Sequence, residues 1–424
     1  MLPNLPLPGE AFLITGLYAG KRGRLALVFL TAMLIINASG WWELRRQLRE
    51  GYQDFTSFYA AGKILARHQG ARLYDIPLQK QTQQEFAPYA VIRNLPYYHI
   101  PIEAALFVPF TRLPYFQAYL LWDLFSLMVC AAALLIIRPH LQTFRGQSAL
   151  FWGLLVFSFF PAFIALVQGQ DALLLLLLFA LTYSALRKGE SFTAGCWLGS
   201  GLFRFPVVLP LLLILARRSR PRLLGGFILT SALMALSSVA LVGWKTALSY
   251  PAFLLGGERS WTSPIVSPDM PNLRGLLETV SYHAAGTWAF RAAVVLLGLA
   301  LLWFCSNLWH PHADGVQFDL GYSLAIVAAI LASYHAFTHD LTILLIPALL
   351  IANYCQLRPQ TWRNWTVTVP MFLLFFTPLC AALLFWMRLA RLLAVVLLIW
   401  LWGIGREISR AGFHQTEAYP CDLP

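Results

Sequence analysis

Asp54 stands immediately before the helical run Phe55-Thr-Ser-Phe-Tyr59-Ala-Ala-Gly-Lys-Ile-Leu-Ala-Arg67. A carboxylate held there can take the proton of an attacking hydroxyl as a general base. It can equally serve as the N-cap of the helix that follows. Arg204 lies inside an otherwise apolar stretch, 191–217. A charge at the centre of a lone membrane helix costs roughly 2.5–3.5 kcal/mol, so such a residue faces a cavity or a partner. Two roles fit it: counter-ion to a buried carboxylate, or a bidentate fork on a phosphate. His335 and His339, in Tyr334-His-Ala-Phe-Thr-His-Asp340, are four residues apart and would share a face of a continuous helix. Spacing supplies no third metal ligand beside them, so no metal is expected. Hydrogen bonding to a phosphate or sugar, or the capping of two helix ends, accounts for them. Gln168-Gly-Gln170-Asp171 makes a tight polar turn in which Asp171 can cap the next helix. Arg259 and Arg274, in the loop 244–285, could reach a phosphate, although loop arginines commonly just face solvent. No nucleophile elbow, P-loop or dinucleotide fingerprint occurs, which argues against chemistry driven by ATP or a dinucleotide.

The elements that must position these residues are membrane helices. Of the 424 residues 58% are hydrophobic and 12% charged, and mean hydropathy is +0.63. A water-soluble chain carries about a quarter charged residues. Apolar runs of the length that spans a bilayer recur near 24–42, 114–137, 148–167, 170–187, 221–243, 286–308, 318–335, 338–356, 365–384 and 387–405. The expectation is an all-α polytopic protein, a single membrane-embedded domain over 1–424. Arg204 and Pro206 interrupt 191–217, which is predicted to be two half-helices folded as a hairpin. The net charge of +12 sits in short clusters between apolar runs, as the positive-inside rule requires rather than nucleic-acid binding. With the hairpin, Lys21–Arg24, Arg138–Arg145, Arg187–Lys188, Arg217–Arg222, Arg358–Arg363 and the tail 406–424 all fall on the cytoplasmic side. The loops 43–113 and 244–285, the 168–171 turn, the tip at Arg204 and the late turn 334–340 then share the outer side. In the first loop, Phe55, Phe58, Tyr59, Gly62 and Leu65 form one helical face, as in an amphipathic helix lying on the membrane surface. The six cysteines show no pairing pattern or metal-ligand spacing.

Four segments, taken in order, carry a resemblance. Asp54-Phe-Thr-Ser-Phe-Tyr-Ala-Ala-Gly with Leu73-Tyr-Asp75 resembles the opening signature of glycosyltransferase family 87, membrane enzymes of the GT-C type that use polyprenyl-phosphate sugars. Val167-Gln-Gly-Gln-Asp171, Gly199-Ser-Gly-Leu-Phe-Arg204-Phe and Ser333-Tyr-His-Ala-Phe-Thr-His-Asp340-Leu-Thr are similar to its later motifs. Position 204 is Arg where the family more often has Lys.

The resemblance implies a GT-C-like bundle in the bacterial inner membrane with its active site on the extracytoplasmic side. It implies an inverting transfer of a hexose such as mannose, or a pentose, to a glycan or glycolipid acceptor. Asp54 would be the base. Arg204 and a histidine of the late turn, His335 or His339, would contact the donor phosphate; Arg274 is a further candidate for that contact, outside what the resemblance implies. Tyr59, Gln170, Asp171 and Asp340 belong to the supporting set. The donor is a substrate, and no cofactor is expected. The rival reading of the same residues is a transporter or flippase for a lipid-linked or anionic solute.

Overall fold

The computed structural model describes residues 21–87, 95–218, 221–260, 269–280, 287–311, 313 and 315–417. Over these residues the only regular elements are helices. α1 (Lys21–Glu50) leads through a short turn into α2 (Phe55–Ala66), followed by α3 (Ile76–Gln84) and α4 (Pro101–Phe107). The apolar segment 102–111 is too short to span, as its prolines suggest, and continues from α4 as a 3-10 turn, Val108–Arg112. α5 (Tyr115–Ile137) is a full-length span. α6 (Ala149–Ser158) and α7 (Phe160–Gln168) follow, then α8 (Ala172–Arg187), α9 (Ser191–Ser200), α10 (Phe205–Arg218) and α11 (Pro221–Val242). The C-terminal half comprises α12 (Trp244–Ser260), α13 (Leu273–Val280), α14 (Trp288–Leu308), α15 (Gly315–Ala332), α16 (Leu345–Leu357), α17 (Trp365–Leu373), α18 (Thr377–Ala381) and α19 (Leu393–Glu417). Among the described residues, seven helices are long and apolar enough to cross a membrane, and ten spans result if each of three bent pairs counts as one. The molecule is a polytopic all-α membrane protein.

Hydropathy predicts three of the spans less well. The run 148–167 breaks between α6 and α7, which are bent by 73°. Phe159 is extended and Pro161 lies in the first turn of α7, where its missing N–H cannot continue the hydrogen bonds of the preceding helix. The run 365–384 breaks by 67° in the same way, with Pro378 at the start of α18. α8 has only 16 residues, about 24 Å at 1.5 Å per residue, and falls short of a roughly 30 Å hydrocarbon core. The predicted tail 406–424 begins as helix, because α19 runs on to Glu417.

The expected break inside 191–217 is present. A 3-10 turn, Leu202–Arg204, separates α9 from α10, and the pair is bent by 62°. Before α9, Arg187 donates to the carbonyl of Gly315 at the start of α15. Near the end of α10, Arg217 donates to Ser306 Oγ near the end of α14. Both ends of the 191–217 segment therefore lie beside the connection from α14 to α15, while Arg204 lies at the other end of the bundle. The basic clusters gather at the end of the α14–α15 connection: Thr143, beside Arg138–Arg145, bonds Asn353 of α16, and Tyr354 bonds Glu407 of α19.

One element departs from the amphipathic prediction. α2 is enclosed on nearly every side rather than half-exposed: Phe55, Phe58, Tyr59, Gly62 and Leu65 are buried, and so are Thr56, Ser57, Ala60, Ala61 and Ile64. The ring of Phe58 stacks on Phe107 of α4 at 4.7 Å, and Phe55 meets Tyr115 and Tyr119 of α5 at 5.8 and 5.7 Å. Each such ring contributes about 1.5–3 kcal/mol on burial. Gly62 permits the crossing, since a Cβ there would stand 3.0 Å from the Phe107 carbonyl carbon and from Thr111 Cγ2. Lys63 and Arg67, off the apolar face, pair with Glu85. The covering segments come from residues 76–119, which a local helical pattern does not register.

Candidate active site

A cavity of about 1060 Å³ opens at the end of the bundle away from the basic clusters. Among the stretches of chain that meet in its wall are Asp54 after α1, His99 before α4, Gln168 and Gln170 between α7 and α8, Arg204 at the α9–α10 break, and His335 to Asp340 after α15. Folding unites four of the motifs that the sequence offers only in series.

Asp54 is not a helix cap. Its backbone is already helical, and its side chain accepts no hydrogen bond from the first turn of α2. Its Oδ2 instead accepts from Gln170 Nε2 at 2.6 Å. The other end of the same amide, Gln170 Oε1, accepts from Arg204 Nη2. One glutamine, 116 positions past Asp54 in the sequence, thus links the carboxylate to the guanidinium. The turn that presents Gln170 depends on Gly169, which has φ +61° and lies so close to α2 that a Cβ would stand 2.6 Å from Phe55 Cβ. Only glycine meets both conditions.

Arg204 is buried and multiply paired. Nε donates to Asp171 Oδ1 at 2.6 Å, and Nη1 lies 3.4 Å from Asp340 Oδ1. Asp171, like Asp54, makes no side-chain cap bond. Asp340 does cap the late turn, accepting from the Phe337 amide at 2.8 Å. His339 Nδ1 pairs with Gln168 Oε1 at 2.7 Å; a carbonyl oxygen can only accept, so Nδ1 carries the proton. Nε2 then faces Arg204 Nη1 at 3.5 Å. The counter-ion role proposed for Arg204 is thus realised, and the residue still lines the cavity.

His335 also lines the cavity, and burial, with Arg274 adding to it, holds its imidazole well below the usual range, at about 3. Arg274 itself is not in the cavity wall. It bonds Glu278 at 2.9 Å and covers the Tyr334 ring at 4.2 Å, so it supports the late turn from behind. Tyr59 is likewise set back, its hydroxyl donating to the Leu113 carbonyl at 2.7 Å. The Arg259 side chain and Cys421 lie outside the described residues; the other five cysteines are free.

Two residues of the site, His99 and Glu103, are not among those singled out from the sequence. They lie four residues apart across the start of α4, with His99 Nδ1 3.0 Å from Glu103 Oε1. Burial, with Arg204 acting in the same sense, lowers the His99 imidazole to about 4. Burial pushes the carboxyls of Glu103 and Asp171 up to about 7. A His at i and a Glu at i+4 beside a helix-opening proline was the available signal, but nothing local ties it to Asp171, 68 positions past Glu103.

An all-α membrane bundle with a buried carboxylate–amide–guanidinium chain at the mouth of one large cavity is the frame of a membrane-embedded enzyme. Comparison with known families is specific: the model of glycosyltransferase family 87 matches residues 97–334. That is more than half of the chain, and the protein belongs to this family of GT-C type membrane glycosyltransferases. The matched region contains His99, Glu103, the 168–171 turn, Arg204 and Arg274. Asp54 precedes it, and His335, His339 and Asp340 follow it. No curated protein and no solved structure matches the chain.

Proposed function

We propose that this glycosyltransferase moves a sugar, a hexose such as mannose or a pentose, from a polyprenyl-phosphate donor to a glycan or glycolipid acceptor, with Asp54 as the base. The observation that carries the reading is the disposition of Asp54: a carboxylate excused from helix capping, exposed to the cavity and held by Gln170 alone. An acceptor hydroxyl gives its proton to Asp54 while its oxygen bonds the anomeric carbon. The bond from that carbon to the phosphate oxygen breaks on the opposite face, its electron pair leaves with the polyprenyl phosphate, and the anomeric configuration inverts.

Negative charge grows on the leaving phosphate, and preorganised donors in a water-poor site act most strongly on such charge. Arg204 and His335 are the donors we assign to it, with His339, whose Nδ1 proton goes to Gln168, steadying Arg204 from Nε2 and Arg274 holding the turn. Tyr59, Asp171 and Asp340 then act by position, the last two by orienting the guanidinium. The cavity's other wall is apolar and continues to the outside of the bundle: Leu213, Val295 and Leu299 line it and are about half exposed, at 52%, 48% and 47%. A prenyl chain entering between α10 and α14 would bring its phosphate toward Arg204. A transporter would need polar groups along a path to both ends, whereas these cluster at one. By the positive-inside rule the basic end is cytoplasmic, so the cavity faces outward from the bacterial inner membrane.

The test is purified protein given polyprenyl-phosphate hexoses and pentoses with envelope glycans or glycolipids as acceptors. Acceptor-dependent release of polyprenyl phosphate is the expected result. No release across the panel, with the same preparation moving an intact lipid-linked sugar between leaflets, would overturn the reading in favour of transport.

A further inference from the structure

Behind the cavity wall, His99, Glu103 and Asp171 bring one imidazole nitrogen and two carboxylate oxygens within 4.8 Å of one another. Among the described residues this is the one group of three side chains so arranged. Its members come from two elements: His99 and Glu103 from the start of α4, and Asp171 from the turn between α7 and α8. Glu103 is 1% exposed and Asp171 likewise 1%. Glu103 Oε2 and Asp171 Oδ2 are buried without a hydrogen-bond partner, while Glu103 Oε1 stands 3.0 Å from His99 Nδ1. Two unpartnered carboxyl oxygens in one buried cluster are unusual, because a buried acceptor left unpaired is costly. Arg204 does not relieve them, since it bonds Asp171 through Oδ1 and turns its other edge to Asp340 and Gln170.

We propose that His99, Glu103 and Asp171 form a binding site for one divalent metal ion. One imidazole and two carboxylates suit a borderline-to-hard first-row ion, Mn²⁺ or Zn²⁺, better than a thiolate-loving one. Ligand atoms about 2.0–2.2 Å from such an ion stand closer to one another than the present spread, so binding draws the three inward by a small amount. His99 alone of the three lines the cavity, which leaves the open coordination positions on the cavity side for water or a substrate oxygen. Occupied, the site fastens α4 to the turn that carries Gln170 and so holds the partner of Asp54. The inference does not depend on which sugar is moved.

The test uses full-length protein in detergent, stripped with chelator and titrated with Mn²⁺ while free ion is followed by electron paramagnetic resonance, with Zn²⁺ as competitor. One ion per chain is expected, and Glu103→Gln and His99→Gln should each weaken it at least about tenfold, since even the groups behind metal ligands are worth that much. X-ray absorption on the wild-type complex, which does not rely on a variant folding, should show one imidazole nitrogen with oxygens. No saturable binding of either ion, unchanged affinity in both variants, or a shell with several imidazoles or sulfur would overturn the site.

Discussion

Replacing Asp54 with asparagine separates base catalysis from mere structure, because the substitution preserves almost everything else. Asp54 makes no cap bond, so the start of α2 loses nothing. Its one side-chain partner is Gln170, at 2.6 Å, and an amide oxygen still accepts there. Exchanging a charged acceptor for a neutral one lowers that bond from about 1.5–3 to about 0.5–1.5 kcal/mol. The structural loss is thus about 1 kcal/mol, worth less than tenfold in rate at 1.36 kcal/mol per decade. Losing a general base costs about 10² to 10⁴, or roughly 2.7–5.4 kcal/mol of barrier. The two outcomes do not overlap. The assay is steady-state release of polyprenyl phosphate, with melting temperature recorded on the same samples. The expected result is kcat down at least a hundredfold, with KM and melting little changed. A rate within threefold of wild type would refute Asp54 as the base.

Arg204→Met leaves Asp171 and Asp340 buried beside each other's charge, and loss of one partner of a buried ion pair costs about 3–5 kcal/mol; folded yield in detergent should collapse. Arg204→Lys should fold but transfer sugar at least tenfold more slowly, since a point charge cannot reach Asp171, Gln170 and Asp340 together; wild-type kinetics would count against the fork. His335 titrates near 3 when folded and near 6.5 when unfolded. Its contribution is present above pH 6.5 and is lost as pH falls toward 3, by about 1.4 kcal/mol per pH unit. Between pH 7.5 and 5 the melting temperature of wild type should therefore fall faster than that of His335→Gln, and parallel curves would refute burial of a neutral imidazole. Reporter fusions after Glu190 and after Arg222 should both signal the cytoplasm, and an outside signal at either would contradict the hairpin and the outward-facing cavity.

Much of this protein is local physics and can be read residue by residue. Hydropathy sums over a window, so it finds α1, α5, α11, α14 and α15 without knowledge of their neighbours. A buried-looking arginine beside a proline marks the break at Arg204, because both features are costly in an unbroken membrane helix. Pro161 and Pro378 carried the same signal for the two further breaks, but the apolar runs around them are long enough to conceal it. Asp54 and the late turn stand out because charged and imidazole side chains are rare among apolar spans. What those side chains do is another matter. Asp54 looks equally like a cap and a base until Gln170 is seen to hold it. Arg204 looks equally like a counter-ion and a ligand clamp until Asp171 and Asp340 are placed around it. α2 reads as amphipathic, yet the rings of residues 107–119 cover it. His99, Glu103 and Asp171 have no mutual spacing that means anything along the chain. Each of these outcomes depends on contacts between residues 33 or more positions apart. Such contacts are fixed by how helices pack rather than by any pattern within one of them.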